Sequence, residues 1–285
     1  MNPKYSLLFA LVVGLLFAPG CKKESKSSDQ GGGGTSNTSP ATSQSTTLAS
    51  TMEGPAPEPV RHWVDERLTP GVWLTVNGCT EPELPQGWPL IITATVMGAQ
   101  GPAAEFSVDD VSVRVTDAAG KDAAWPMKRV SKTKTLKVDE TTGDSVTWVN
   151  ADTAALVPET YLISASLKGG SAHSISITVV AAPAKPTPQQ ETSRFALGIQ
   201  AALWMDDPES ALRQAETRSA ANPRDWLSLE YKGDALTAMG KKTEGHAAYA
   251  KALSLFIFEN PKAEPPNHLL EKLQVLQNAA ETQPG

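Results

Sequence analysis

Residues 158–180 read PETYLISASLKGGSAHSISITVV. Tyr161, Ile163, Ala165 and Leu167 fall on one face of an extended chain, and so do Ile175, Ile177 and Val179. Successive side chains of a strand point to opposite faces, so this period of two predicts two half-buried strands. Lys168-Gly169-Gly170-Ser171 stands between them as a turn. Glycines there supply the φ values that a tight reversal needs.

The same alternation continues upstream. Val72 to Val76 forms one run, and Pro89 to Val96 another, with Leu90, Ile92, Ala94 and Val96 sharing a face. Val111, Val113 and Val115 alternate with Ser112 and Arg114, and the turn Asp117-Ala-Ala-Gly120 ends that strand. Trp125 to Val130 reads as a short edge strand, and Val146 with Trp148 marks a further one. About seven strands with no helical stretch between them predict an all-β antiparallel sandwich over residues 57–182. This stretch resembles the immunoglobulin-like and fibronectin-like modules of exported proteins. The residues that carry the resemblance are Pro158-Glu-Thr-Tyr161-Leu-Ile-Ser-Ala165. They look like the start of the sixth strand, where the family's tyrosine braces a corner. The cysteine pair of antibody domains is absent.

Trp73, Trp88, Trp125 and Trp148 fall in this segment. Aromatic side chains dominate core burial, so packing is the expected role, with stacking on a sugar ring as the alternative. Asp109-Asp110 lacks the spaced oxygen ligands and glycine of a calcium loop and reads as a solvated turn.

The chain's start has a different character. Lys4 precedes the apolar run Leu7 to Phe17, LLFALVVGLLF, which is followed by Ala18, Pro19, Gly20 and Cys21. Charge, short apolar run and small residues at a cut site make a secretory signal over residues 1–20, and the run is too short to span a bilayer. Gly20-Cys21 resembles the lipobox of bacterial lipoproteins. That resemblance implies cleavage before Cys21 and attachment of diacylglycerol and palmitate-type acyl chains to Cys21. It implies a membrane-anchored protein of the cell envelope. Lys22 stands where an Asp marks inner-membrane retention in enteric bacteria, which favours the outer membrane. Residues 21–56 are Ser, Thr, Gly, Gln and Pro with few large apolar side chains. Such a segment cannot offset the entropy of ordering and is expected to be a disordered tether. With lipid on Cys21, Cys79 is expected to be alone, with no disulfide: a buried small hydrophobe, with a reactive thiol as the alternative. The net charge of −6 leaves no electrostatic footprint for nucleic acid.

Residues 183–190, PAKPTPQQ, read as a Pro-rich hinge, across which few contacts are expected. Beyond it the period changes to 3.6 and residues 191–285 read as helices. Ser193, Asp207, Asp225, Thr243 and Asn267 are the expected N-caps, Pro208 a first helical residue, and Gly240 a stop. Leu269, Leu270, Leu273 and Leu276 are expected on one apolar face of the last helix. Residues 224–256 resemble a degenerate tetratricopeptide repeat. Gly233, Leu236, Gly240, Gly245, Tyr249, Ala252 and Leu253 carry that resemblance, and Ala211 matches Gly245 one repeat earlier. Only two hairpins and a capping helix are visible, so the domain is expected to complete its core against the sandwich or a partner.

No pattern for catalysis, cofactor or metal emerges. His62, His173, His246 and His268 have no ligand spacing, there is no GxSxG, and Gly240-Lys241-Lys242-Thr243 is a poor phosphate loop. The sequence therefore predicts a non-catalytic, lipid-anchored adaptor that binds another envelope protein through its helical hairpins. The alternative is a glycan- or cell-wall-binding module that uses the sandwich. Neither reading identifies partner-binding residues.

Overall fold

A computed structural model describes residues 69–281, apart from positions 81, 100, 101 and 132. The signal segment, Cys21 and the tether 21–56 lie outside the described residues. Ten strands come first: β1 (Gly71–Val76), β2 (Glu83–Pro85), β3 (Leu90–Met97), β4 (Ala104–Ser107), β5 (Val111–Thr116), β6 (Lys128–Arg129), β7 (Thr135–Val138), β8 (Gly143–Asn150), β9 (Thr160–Leu167) and β10 (Ala172–Val180). One sheet has the order β1-β3-β8-β6, the second β2-β10-β9-β5, and β4 pairs with β7 as a two-stranded ribbon. All pairings are antiparallel except β2 with β10.

This order has a plain correspondence. Taking β1, β3, β6 and β8 as the first, second, fourth and fifth strands of an immunoglobulin-type sandwich reproduces its four-stranded sheet. β5, β9 and β10 then reproduce its three-stranded sheet. The first strand is split: β1 lies on one sheet, the chain reverses at Asn77-Gly78, and β2 crosses to the other. Both turn residues have positive φ, 50° and 78°, the geometry that Asn-Gly favours in two-residue hairpins. The Asn77 side chain holds the reversal by accepting from the Ile91 N–H at 2.8 Å. Tyr161 stands at the second position of β9 and donates its hydroxyl to the Val157 carbonyl at 3.1 Å. That is the corner brace expected from the sequence.

The faces follow the alternation. Leu90, Ile92, Ala94 and Val96 are wholly buried, as are Ile163, Ala165 and Ile177. Two differences have local causes. The expected strand Trp125 to Val130 shrinks to Lys128–Arg129 beside the proline at 126, which has no N–H for a ladder. Strands β2, β4 and β7 were not expected, because runs of three or four residues are too short to stand out in the sequence. The Asp117 to Gly120 and Gly169 turns form as expected, with φ of 79° at Gly120 and 76° at Gly169.

Five helices follow: α1 (Pro188–Trp204), α2 (Pro208–Ala221), α3 (Trp226–Ala238), α4 (Lys242–Glu259) and α5 (Asn267–Glu281). Helix α1 begins inside the Pro-rich segment. Thr187, not Ser193, caps it: the Thr187 hydroxyl accepts from the Gln190 N–H, the Gln190 side chain accepts from the Thr187 N–H, and Pro188 takes the first helical position. Ser193 is a buried residue within the helix and donates to the Gln189 carbonyl at 2.7 Å. Asp207 and Asp225 cap α2 and α3 as expected. Thr243 does not cap α4; the cap residue is Lys241, with no side-chain hydrogen bond. Gly240, at φ 80°, reverses the chain between α3 and α4.

Contacts across the hinge are not few. The outward face of the first sheet, at Ile91 on β3 and Val149 on β8, packs against Leu197, Ala201 and Trp204 of α1. Ile91 and Val149 are 5% and 2% exposed. A sheet face with two large apolar residues needs a cover, and α1 supplies it. The opposite side of α1 puts Ile199 and Ala202 against Ala211, Ala215, Tyr231 and Ala235. Helix α1 is thus shared by the two cores.

Candidate functional site

Two features of the helical region combine burial, charge and shape. The first is a groove along α1 and α2. Gly198 lets the two helices come close: a Cβ there would stand 2.7 Å from the Gln214 side-chain oxygen. Where α1, α2 and the sandwich loops meet, a cleft of about 450 Å³ opens, floored by Gly198, Ala201 and Ala202 and walled by Pro89 and Ala151. A second hollow of about 400 Å³ continues it along α1–α2 past Arg213 and Thr217. Phe195, Ser210 and Gln214 line both. The Arg218 guanidinium lies 4.5 Å from the Phe195 ring centre and is paired with Asp225.

The second feature is a buried ionic cluster joining α3, α4 and α5. Glu230, 1% exposed, and Asp234 stand one turn apart on α3. The Lys272 ammonium of α5 lies 2.6 Å from the first carboxylate and 2.8 Å from the second. His268 Nε2, one turn before Lys272, lies 3.2 Å from Glu230. The Tyr249 hydroxyl of α4 donates to Asp234 at 2.7 Å. Burial pushes the Glu230 carboxyl up, but the His268 hydrogen bond and the Lys272 charge outweigh it and hold it low. Burial raises the Asp234 carboxyl despite Lys272. Burial alone would lower the Lys272 ammonium, but the two carboxylates raise it instead. Lys272 therefore serves both carboxylates at once, and the Tyr249 hydroxyl adds a donor to Asp234. No cleft opens on this cluster among the cavities described, and its geometry suits a clamp on α5.

The residues singled out in the sequence are dispersed. Cys21 lies outside the described residues. Cys79 is buried at 5% exposure and is disulfide-bonded, which corrects the expectation of a lone thiol. The chain's other cysteine is Cys21. Trp88 and Trp148 are core residues. Trp125 packs edge-on against Tyr161 at 4.7 Å, and Trp73 stacks on His173 at 4.2 Å. None of the four is an exposed stacking platform. Ser107, Asp109 and Asp110 form a capping box over a single 3₁₀ turn, and Asp109 pairs with Arg129 at 2.5 Å. Among the described residues no group of three or more His, Cys, Asp or Glu is placed to hold a metal, and no helix is long and apolar enough to cross a membrane.

No family model and no curated protein matches the chain. Solved structures with similarity include the N-terminal two-domain immunoglobulin module of the Drosophila receptor protein tyrosine phosphatase DLAR, at 13% identity and TM-score 0.25. That match covers 42% of this chain and 52% of that one. A second is the tandem immunoglobulin repeats of Dlar, at 12% identity and TM-score 0.25, covering 41% and 50%. The chain spans about half the length of these structures. Similarity at that level carries no argument. The immunoglobulin-like order of the sandwich rests on its own strand pairing and on the Tyr161 corner.

His173 gives a testable pH response. Its Nδ1 accepts from the Leu74 N–H at 3.2 Å, which requires an unprotonated Nδ1. Desolvation lowers its pKa from the ordinary 6.5. The folded state thus favours the neutral ring. Its contribution is complete above 6.5 and is lost as pH falls from there through the folded value. Urea unfolding at pH 7.5 and pH 5 is expected to show a smaller drop in His173→Asn than in the unsubstituted chain. Equal drops would mean that His173 carries no part of the acid sensitivity.

Proposed function

We propose that this chain is a non-catalytic, lipid-anchored adaptor of the bacterial cell envelope, with Cys21 as its lipid attachment site and its helical region as the surface that holds another protein. The carrying observation is the open groove along α1–α2, two adjoining hollows of about 450 and 400 Å³ that share Phe195, Ser210 and Gln214. The helical hairpins are read as tetratricopeptide-like. Supporting this, Gly233 admits the Tyr249 ring against its backbone, Gly245 approaches the Gly233 carbonyl, Ala252 is wholly buried, and α1 touches both α2 and α3. Small residues at these places let helices pack closely in stacked repeats.

The anchor reading has a chemical competitor. The Cys21 thiol can carry a thioether-linked diacylglycerol or a disulfide to Cys79, but not both. Metabolic labelling with a fatty acid separates them. Label is expected on the wild-type chain and absent from Cys21→Ser. Equal label in the two, or an intact mass that matches an oxidised, unlipidated chain, would remove the anchor. The adaptor reading is tested by affinity capture from detergent-solubilised envelope with the mature chain as bait. Failure to retain any stoichiometric protein partner would overturn it. The outer membrane is the proposed location.

A further inference from the structure

We propose that the α1–α2 groove takes an extended, acidic peptide segment of the partner protein. The proposal rests on the adaptor reading and deepens it. Its basis is the distribution of arginine partners. Six arginines lie among the described residues. Arg114 pairs with Asp122, Arg129 with Asp109, Arg218 with Asp225 and Arg224 with Glu259. The two with no carboxylate partner among the described residues are Arg194 and Arg213, and both line this groove. In a chain of net charge −6, two unpaired guanidinium groups over one groove are a local departure.

The acidic residues on the rim do not answer them. Asp207 is committed to the start of α2, where it accepts from the Ser210 N–H at 2.9 Å. Glu191 stands in the first turn of α1, where the helix dipole favours a negative charge. The rest of the lining suits a peptide. Phe195, Ala201, Ala202 and Met205 offer apolar contact, and Ser210 and Gln214 offer hydrogen bonds. Arg194 and Arg213 add charged donors with no carboxylate partner among the described residues. Peptide carbonyls and carboxylates are the complementary ligand, and an extended strand presents both.

The test uses the full mature chain in detergent and a display library of random short peptides. Enriched peptides are expected to be net acidic and to bind more weakly when salt rises from about 50 mM to about 500 mM. Arg194→Glu with Arg213→Glu is expected to weaken them about tenfold or more, since each loses a charge-assisted bond. Both side chains are exposed, so the thermal melt of the double variant should match the parent and report any folding defect. Neutral or basic binders, binders indifferent to the double substitution, or a library that yields none would each overturn the proposal. The envelope capture distinguishes the two levels. A partner retained equally by parent and double variant leaves the adaptor reading in place and removes the groove from it. No partner on the parent removes the reading itself.

Discussion

Replacing Lys272 with methionine is expected to destabilise the helical region by about 3–5 kcal/mol, the range found when one partner of a buried ion pair is deleted. The methionine keeps the length of the side chain and its apolar contacts, so the loss comes from charge. Without the ammonium, Glu230 and Asp234 are two carboxylates one turn apart, one of them 1% exposed, facing a helix that offers only His268. Each would be desolvated beside a like charge, which favours the protonated forms. The folded-state pKa values then lie above the unfolded ones, and the variant regains stability as pH falls. The gap between wild type and Lys272→Met should therefore narrow on acidification. The combined substitution Glu230→Gln, Asp234→Asn and Lys272→Met removes every formal charge except that of His268 and should recover much of the loss. Urea unfolding followed by circular dichroism at neutral and acid pH checks both. A triple variant no more stable than Lys272→Met would show that the cluster is more than a clamp.

The pairs that build this clamp were visible in the sequence in one respect. Glu230 and Asp234 are four residues apart, and so are His268 and Lys272, each pair on one helical face. Nothing in the spacing says that the two faces meet, because 38 residues separate Glu230 from His268. The leucine stripe of α5 was nearly right. Leu269 and Leu276 are buried and Leu273 packs with them, but Leu270 is 40% exposed, because it lies off the i, i+4, i+7 row. The arginine pair of the groove was less accessible still. Arg194 and Arg213 are ordinary surface residues in sequence, and only the fold shows that they line one groove without a carboxylate partner among the described residues.

The sandwich was legible for a physical reason. Its sheets bury one face, so β3, β9 and β10 each show a strict two-residue period. The exception carries information. On β3 and β8, Ile91 and Val149 break the expected polar face. An apolar residue on the outer face of a half-exposed sheet asks for a cover, and its cover is α1. The Pro-rich run before α1 obscured this. Thr187-Pro188-Gln189-Gln190 reads as polyproline when its prolines are counted, yet it forms a capping box with proline at the first helical position.

That shared helix carries the last expected result. Ala201 is 2% exposed and lies against Ile91 and Val149. Ala201→Glu puts a carboxylate between two apolar residues with no cation described beside it. The cost is expected to exceed about 4 kcal/mol, in the range reserved for buried unpaired charge. The manner of the loss is more informative than its size. If α1 belongs to both cores, wild type should melt as one cooperative unit under circular dichroism and tryptophan fluorescence alike, and Ala201→Glu should separate the transitions. The β-rich part has its own core around Leu90, Ile92 and Ile163 and should melt last. The helical part, deprived of the sheet under α1, should melt first, because two hairpins and one helix approach the lower limit for a stacked array. A fragment of 191–285 that melts cooperatively above the β fragment would show instead that the hairpins stand without the sheet. Helix α1 would then be a docking element whose release could free the groove, and the sheet contact at Ile91 and Val149 would hold the two parts in register rather than hold them folded.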